Sequence, residues 1–171
     1  MIPQRPLDDS YLVRAFADAD EVAAGDVIAL WAKEGVVGAA EAERRIQEVL
    51  LVATHVSGAL AGVSSAYIRQ NTQLRMDLWH YRTFVATAHR KSNVAIQMAL
   101  QGRDLLEHRF VSGLDRRASG MIYEIENEGL KRAFPTAVWP STQFTFIGEN
   151  ARGDHVRVRY FPGALAPPPG A

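Results

Sequence analysis

The chain contains no cysteine, and this absence excludes several kinds of chemistry. Without thiols there are no disulfides, no cysteine nucleophile and no thiolate ligands for a metal ion. The five histidines do not compensate, because none stands at a metal-ligand spacing or in a paired motif with an acidic residue. They are His55, His80, His89, His108 and His155. The sequence therefore predicts no metal site.

An excess of charge is also missing, since 19 basic residues balance 19 acidic ones. No global electric field then favours nucleic acid or an anionic membrane, and any anion site must be local. No apolar run approaches the roughly 20 residues that span a bilayer. The first ten residues, MIPQRPLDDS, have no apolar core of the signal-peptide kind. We expect a cytoplasmic protein with neither a nucleic-acid nor a membrane partner.

The length of 171 residues suits one domain with one substantial core. Internal repeats are absent, and the only low-complexity stretch is PGALAPPPGA at residues 162–171. Its proline and glycine content is typical of a loose chain end. The sequence therefore predicts a single domain over residues 1–161, followed by a flexible tail over residues 162–171.

Hydrophobic periodicity predicts strands and helices in a mixed order. Alternating runs predict strands, a hairpin is expected around Ser57-Gly58, and a second hairpin is expected around NARGD near the end of the chain. The predicted strands cover residues 11–16, 49–56, 59–68, 76–86, 120–127, 141–149 and 154–161. Helical patterns cover residues 18–35 with Asp20 as the cap, 39–49, 93–109 and 128–134. The helix over residues 93–109 places Val94, Met98 and Leu105 on one apolar stripe and Gln97 on its polar face. Antiparallel strands interrupted by crossover helices indicate an α+β fold.

The segment AHRKSN joins the fourth predicted strand to the longest helix. The first N–H groups of a helix have no intrahelical partner, and the helix dipole adds positive charge at that end. Arg90 and Lys91 bring two full positive charges to the same place, so a phosphate or pyrophosphate is the expected ligand. The alternative is that Ser92 or Asn93 simply caps the helix beside two solvated cations.

This strand-turn-helix segment resembles the phosphate-binding loop of the GNAT superfamily of acyl-CoA-dependent N-acyltransferases, which has the form Q/R-x-x-G-x-G/A. Arg90-Lys91-Ser92-Asn93-Val94-Ala95 fits that form, except that Asn93 stands where the first glycine usually stands. Asparagine tolerates a left-handed backbone, so we expect the loop to survive the change. The resemblance extends over nearly the whole chain and implies a mixed, mostly antiparallel central sheet flanked by helices. It also implies that the backbone of Phe84 and Val85 meets the pantetheine arm of CoA.

The resemblance implies further site residues on the last part of the chain. In this superfamily a tyrosine seven residues beyond an asparagine commonly serves as the acid for the leaving thiolate. Counting from Asn127 reaches Phe134, whose phenyl ring has no proton to donate. Both positions are expected near CoA, although Asn127 is most simply the N-cap of the next helix.

The general base is expected on the fourth strand or its neighbour. Tyr81 and Asp77 lie on the face of the fourth strand where the superfamily has its base, and Glu124 on the fifth strand is a third candidate. His80 falls on the opposite face, so we interpret it as a structural residue unless a bulge reverses the alternation.

The sequence as a whole favours an N-acyltransferase that uses acetyl-CoA or another acyl-CoA, with a small-molecule or peptide amine as acceptor. Phe134 and Asn93 favour a first alternative, a weak or inactive relative that serves as a CoA-binding sensor or an interaction module. A second alternative is a binder of phosphate ligands without acyl chemistry. The terminal strands could pair between subunits, which leaves a homodimer open.

Overall fold

A computed structural model describes residues 8–170 of the chain. The described strands are β1 Tyr11–Ala15, β2 Val49–His55, β3 Leu60–Asn71, β4 Met76–Val85, β5 Gly120–Ile125, β6 Thr145–Glu149 and β7 His155–Tyr160. The α-helices are α1 Ala24–Lys33, α2 Ala39–Arg45, α3 Val94–Val111 and α4 Glu128–Ala133. The predicted succession of strands and helices is therefore confirmed.

The seven strands form one sheet in the order β1-β2-β3-β4-β5-β7-β6. Antiparallel pairing joins β1 to β2, β2 to β3, β5 to β7 and β6 to β7. A parallel pairing joins β4 to β5, with Trp79 opposite Met121 and His80 opposite Ile122. Helix α3 makes the crossover that a parallel neighbour requires. The α+β prediction, with a mostly antiparallel sheet and flanking helices, is confirmed.

The described chain forms two compact units that share three elements. The first unit comprises residues 8–66 and 83–102, and the second comprises residues 67–82 and 103–170. Strands β3 and β4 and helix α3 each pass from one unit to the other.

The start of helix α1 differs from the prediction. The sequence predicted a helix from Asp18 capped by Asp20, whereas α1 begins at Ala24 after a short 3-10 turn at Phe16–Asp18. The side chain of Asp26 accepts a hydrogen bond of 2.8 Å from the backbone N–H of Ala23. This contact satisfies one donor at the helix start, so Asp26 performs the capping that was expected of Asp20.

The core of the first unit lies between the sheet and the two early helices. Val27 and Trp31 of α1 and Ala42 of α2 pack in one buried cluster with Val52 of β2 and Val63 of β3. Alternation along β2 and β3 directs these valines to the helix-covered face. Burial of these apolar side chains is the main force that fixes α1 and α2 on the strands.

Helix α3 approaches β3 closely in the first unit. A Cβ atom added at Gly62 would lie 2.9 Å from the Sδ of Met98 and 3.1 Å from the carbonyl oxygen of Phe84. A larger residue there would displace the Met98 side chain and crowd the backbone of β4. Val94 and Met98 are fully buried, as the predicted apolar stripe requires.

One residue of α3 contradicts the predicted polar face. Gln97 is 6% exposed, and its Nε2 donates a hydrogen bond of 3.2 Å to the carbonyl oxygen of Asp8. The side chain fastens the chain entering β1 to the helix, a long-range contact that helical periodicity does not encode.

The second unit has its own core on β4, β5 and β7. Leu78, Ile122, Val156 and Val158 form a buried cluster. The β5–β7 pairing runs over six residue pairs, from Gly120 opposite Tyr160 to Ile125 opposite His155. These strands hold the second unit together.

Candidate functional site

The turn that precedes α3 is folded by its own backbone. Strand β4 ends at Val85, a 3-10 turn covers Thr87–His89, and α3 begins at Val94. The N–H of Ala86 donates to the carbonyl of Ala61 at 2.9 Å, and the N–H of Ser92 donates to the carbonyl of His89 at 3.1 Å. The predicted strand-turn-helix segment is present, with a 3-10 turn inserted between strand and helix.

Asn93 occupies the N-cap position of α3, because its carbonyl accepts hydrogen bonds from the N–H groups of Ile96 at 3.0 Å and Gln97 at 3.1 Å. The left-handed backbone expected at Asn93 is wrong. Among the described residues other than glycine, only Arg75 and Gln143 have positive φ angles. Asn93 can hold an ordinary backbone conformation because it continues directly into the helix.

Ser92 also has a local capping role. Its hydroxyl donates to the carbonyl of His89 at 2.6 Å, and its Oγ accepts from the N–H of Val94 at 3.4 Å. The alternative interpretation of Ser92 and Asn93 as helix-capping residues therefore describes their contacts, and it leaves the two cations beside them to be explained.

Both cations of the turn are exposed. Arg90 uses its Nε to donate a hydrogen bond of 3.2 Å to the carbonyl of Val85, while Lys91 and the small residue Ala95 face solvent. The Val85 carbonyl is one of the groups that the resemblance assigns to the pantetheine arm. Arg90 would have to release it before a ligand could use it.

A carboxylate that sequence reasoning missed stands at the start of this turn. Glu34 accepts hydrogen bonds from the Thr87 hydroxyl at 2.6 Å and from the Thr87 N–H at 3.3 Å. The Thr87 hydroxyl, followed by the positive charges of Arg90 and Lys33, lowers the pKa of Glu34 below its usual value. Glu34 is ionised at neutral pH and reduces the positive potential at the turn without cancelling it. Its only signal in the sequence is its place after α1.

Phe84 and Val85 are half-buried at the end of β4. Phe84 packs against the core cluster of the first unit. The expected contact of their backbone with the pantetheine arm stays a prediction.

In the second unit, the three predicted proton-transfer residues are divided between the two faces of the sheet. Tyr81 is 2% exposed and meets Tyr123 edge-on, with ring centroids 5.7 Å apart. The β4–β5 register puts His80 beside Ile122, so residue 124 shares the face of His80 rather than that of Tyr81. Glu124 lies there, 3.6 Å from Arg152 and 4.0 Å from Arg69.

Asp77 has an exposed carboxylate near the beginning of β4, and its backbone carbonyl accepts a hydrogen bond of 2.9 Å from the N–H of Ser119. The structure therefore does not bring Asp77, Tyr81 and Glu124 into one cluster. Tyr81 is buried, Asp77 is solvated, and Glu124 is balanced by arginines.

His80 is buried beneath Tyr67, with the two rings stacked at 5.2 Å. Burial, together with the nearby charges of Arg69 and Arg82, lowers the pKa of His80 to about 4. The imidazole is therefore neutral at physiological pH. In the part of the chain that the structure describes, its Nε2 has no hydrogen-bond partner. These properties fit the structural role that alternation indicated.

Asn127 caps α4 as the sequence suggested, because its side-chain oxygen accepts a hydrogen bond of 2.9 Å from the N–H of Leu130. Phe134 follows the end of α4. Its ring meets that of Trp139 edge-on at 6.2 Å, and its carbonyl accepts from the Trp139 indole at 3.0 Å. The chain after α4 is thus anchored through the backbone of Phe134.

Arg157 is a second residue that sequence reasoning missed. It is 1% exposed, and its guanidinium donates to the carbonyls of Thr136 at 2.9 Å and Phe134 at 3.3 Å. The guanidinium carbon also lies 4.3 Å from the centre of the Trp139 ring, and burial lowers the pKa of Arg157. The only signal in the sequence is a charged residue inside the alternating run of β7. Arg157 fixes the loop that follows α4.

Two absences hold for residues 8–170. Within this range there is no group of three or more His, Asp or Glu side chains that could hold a metal ion. The helices described there are also too short or too polar to cross a membrane.

Comparison with known proteins finds similarity in structure rather than in sequence. No protein-family model matches the chain, and no curated protein matches it. An acetyltransferase of the GNAT family from Streptococcus pneumoniae is similar, with a TM-score of 0.59 and 11% identity over 89% of this chain and 99% of that one. The ribosomal-protein-S5-alanine acetyltransferase from Vibrio fischeri gives a TM-score of 0.59 and 10% identity over 92% of this chain and 97% of its own.

A third solved structure is similar, that of a GNAT family N-acetyltransferase (YhbS) from Escherichia coli in complex with CoA. Its TM-score is 0.58 at 16% identity, over 88% of this chain and 81% of that one. At these identities the likeness concerns the fold.

Proposed function

We propose that this chain, which has the fold of the GNAT acetyltransferases, is an acyl-CoA-dependent N-acyltransferase. Acetyl-CoA is the donor we expect first, another acyl-CoA the alternative, and an amine of a small molecule or peptide the acceptor. The observation that carries the proposal is the turn before α3, where two exposed cations stand at the start of an 18-residue helix. A solved structure with the same fold is a complex with CoA, which supports an acyl-CoA as the donor.

The residues of the turn suit the phosphates of CoA. The start of α3 carries the positive end of the helix dipole. The N–H groups of Val94 and Ile96 there are already bonded to Ser92 and Asn93, so the two cations are the main phosphate ligands. Arg90 and Lys91 supply charge-assisted hydrogen bonds, which are about twice as strong as neutral ones. The exposed Ala95 leaves room for a ligand to approach the helix.

The transfer reaction requires few groups from the protein. The acceptor nitrogen attacks the thioester carbon, the carbon–sulfur bond breaks, the nitrogen loses a proton, and the thiolate gains one. Of the candidate bases, Glu124 and Asp77 are carboxylates that can accept the amine proton. Phe134 cannot supply the proton to sulfur, so solvent or another side chain must do so.

The competing function is CoA binding without turnover. Phe134 favours it, because the position that the superfamily uses for a tyrosine acid holds a phenyl ring. Both functions require CoA at the turn and differ only in thiol release. Binding of CoA and release of its thiol are therefore measured in separate experiments.

CoA binding is tested by calorimetry on wild type and on the double variant Arg90→Ala, Lys91→Ala. We expect the double variant to bind CoA at least about tenfold more weakly, since two charge-assisted contacts to phosphate are lost. Arg109→Ala at the far end of α3, together with Arg44→Ala in α2, removes the same charge from other places and should leave the affinity unchanged. No heat from wild type with millimolar CoA or acetyl-CoA would refute the reading of the turn as a pyrophosphate site.

A further inference from the structure

A cavity of about 600 Å³ lies within the second unit. Its walls come from the β3–β4 turn, the beginning of β4, the loop between α3 and β5, and residues 165–168 near the end of the chain. None of the residues of the turn before α3 contributes to it. Of the residues that the sequence assigns to a site, the candidate base Asp77 lines this cavity.

Backbone hydrogen bonds hold the walls together. The N–H of Ser119 donates to the carbonyl of Asp77 at 2.9 Å, and the N–H of Phe161 donates to the carbonyl of Ser119 at 3.0 Å. The loop before β5 is thereby tied both to the start of β4 and to the segment that leads into residues 165–168. Three of the four segments that form the cavity are thus connected by backbone hydrogen bonds or follow directly from one that is.

The polar part of the lining is mainly cationic. Arg75, Arg116 and Arg117 line the cavity, against one acidic side chain, Asp77. Arg117 is paired with Asp115 through two hydrogen bonds of 2.9 and 2.7 Å, and it lies 5.6 Å from the centre of the Trp79 ring. With that pair neutral, Arg75 and Arg116 still exceed Asp77 by one positive charge.

Arg116 is the arginine best placed to hold an anion. Its Nε donates to the carbonyl of Phe110 at 3.3 Å, which fixes the guanidinium by one edge. Its two terminal nitrogens then remain as a parallel pair of donors, the arrangement that matches a carboxylate or a phosphate.

Arg75 adds a second guanidinium to the lining. Its φ angle is 55°, so its backbone is left-handed in the turn between β3 and β4.

The remaining wall is apolar and poor in donors. Met76 forms part of it, with Leu165, Ala166, Pro167 and Pro168 opposite. Proline has no N–H, so this side offers contact surface and few hydrogen bonds. We propose that the cavity binds a small organic anion, with a carboxylate or phosphate head on the arginines and an apolar body against the proline segment. The cavity shares no residue with the turn before α3, so this ligand is not the CoA of the proposed function.

The probes for this site are phenylacetate, its neutral isostere 2-phenylethanol, and inorganic phosphate. The NMR signal of the Trp79 indole reports binding, because the Arg117 guanidinium lies over that ring. We expect saturable binding of phenylacetate in the millimolar range and binding of 2-phenylethanol at least about tenfold weaker, since the charge-assisted contacts are lost. Inorganic phosphate should bind more weakly than phenylacetate because it lacks the apolar body.

Two variants and one control identify the place of binding. Arg116→Gln should weaken phenylacetate about tenfold. Leu165→Asp should do the same by placing a negative charge in the apolar wall, and it leaves the core intact because Leu165 is 83% exposed. Arg90→Ala, in the turn before α3, should leave the affinity for phenylacetate unchanged. Equal binding of acid and alcohol, or loss of binding with Arg90→Ala but not with Leu165→Asp, would overturn the proposal.

Discussion

Asn93 stands at a position where related loops carry glycine, and its carbonyl begins the hydrogen-bond ladder of α3. Since its backbone is not left-handed, glycine has no strain to relieve there. What glycine removes is a side chain beside the proposed phosphate site. Asn93→Gly should therefore bind CoA as well as wild type or better, and should lose only a few tenths of a kcal/mol of stability. Calorimetry and urea unfolding measure the two effects, and a large loss of affinity would mean that the asparagine amide itself holds the ligand.

Phe134 tests whether the fold retains acyltransferase chemistry. The backbone of this residue is anchored by Trp139 and Arg157, so Phe134→Tyr adds a hydroxyl at a fixed place with little change in volume. General acid catalysis is typically worth about 10²–10⁴-fold, so the variant should release thiol from acetyl-CoA measurably faster than wild type. The absence of cysteine leaves the assay without a protein thiol background.

Affinity for CoA should stay the same in Phe134→Tyr, which separates the chemical effect from a binding effect. Phe134→Leu serves as the matched control, because it changes the ring without adding a proton donor. If wild type is already fast and the tyrosine variant is no faster, the acid lies elsewhere and Tyr123 is the next residue to test.

His80 makes stability depend on pH. Its pKa is about 4 in the folded protein against a usual 6.5, so the folded state binds fewer protons than the unfolded state between these values. The stability is full above pH 6.5 and falls as the pH approaches 4, where the loss reaches about 3 kcal/mol. Urea unfolding at pH 7.5 and pH 4.5 should show a smaller difference for His80→Gln than for wild type. His108→Gln, at an exposed position, should keep the wild-type difference, and an unchanged pH dependence in His80→Gln would contradict the prediction.

At the scale of elements, the β5–β7 pairing depends on one glycine. A Cβ atom at Gly120 would lie 2.4 Å from the carbonyl oxygen of Arg159 and 2.9 Å from the Cα of Tyr160. Both atoms belong to the backbone of β7, so the strands must separate to accept it. Gly120→Ala should lower the free energy of unfolding by about 1–3 kcal/mol.

Gly25 in α1 is the matched control for this substitution. A Cβ atom there meets nothing within 4 Å, and alanine is favoured over glycine inside a helix by up to about 1 kcal/mol. Gly25→Ala should leave stability equal or raise it, and urea unfolding of both variants compares them directly. Equal losses in the two would show that close packing at β7 is not the cause.

At the scale of the whole molecule, the order of elements could be predicted because it rests on local patterns. The hairpin at Ser57-Gly58, the stripe of Val94 and Met98, and the Asn127 cap all follow from spacing within a few residues. The contacts that were missed join residues far apart in the chain. Glu34 meets Thr87, and Arg157 meets the carbonyls beyond α4. Neither residue carries a local pattern that marks its partner.

The proposed site was predicted in part for the same reason. Arg90 and Lys91 could be named because the turn is contiguous, whereas Asp77, Tyr81 and Glu124 depend on which face each strand presents. Strand alternation assigned His80 and Tyr81 to opposite faces of β4, and the ring contacts agree with it. The register between β4 and β5 places Glu124 on the face of His80. This register depends on the crossover through α3, so alternation within one strand cannot predict it.

The segments of the two compact units alternate along the chain, and this order limits how a unit can be exchanged by recombination. Each unit is built from two separate stretches of chain, so no single break in the gene yields either unit as a continuous polypeptide. Recombination can exchange hairpins or loops, but it cannot transplant one unit onto another protein in one event. Exchange of a whole unit therefore requires two insertions, one for each of its two stretches.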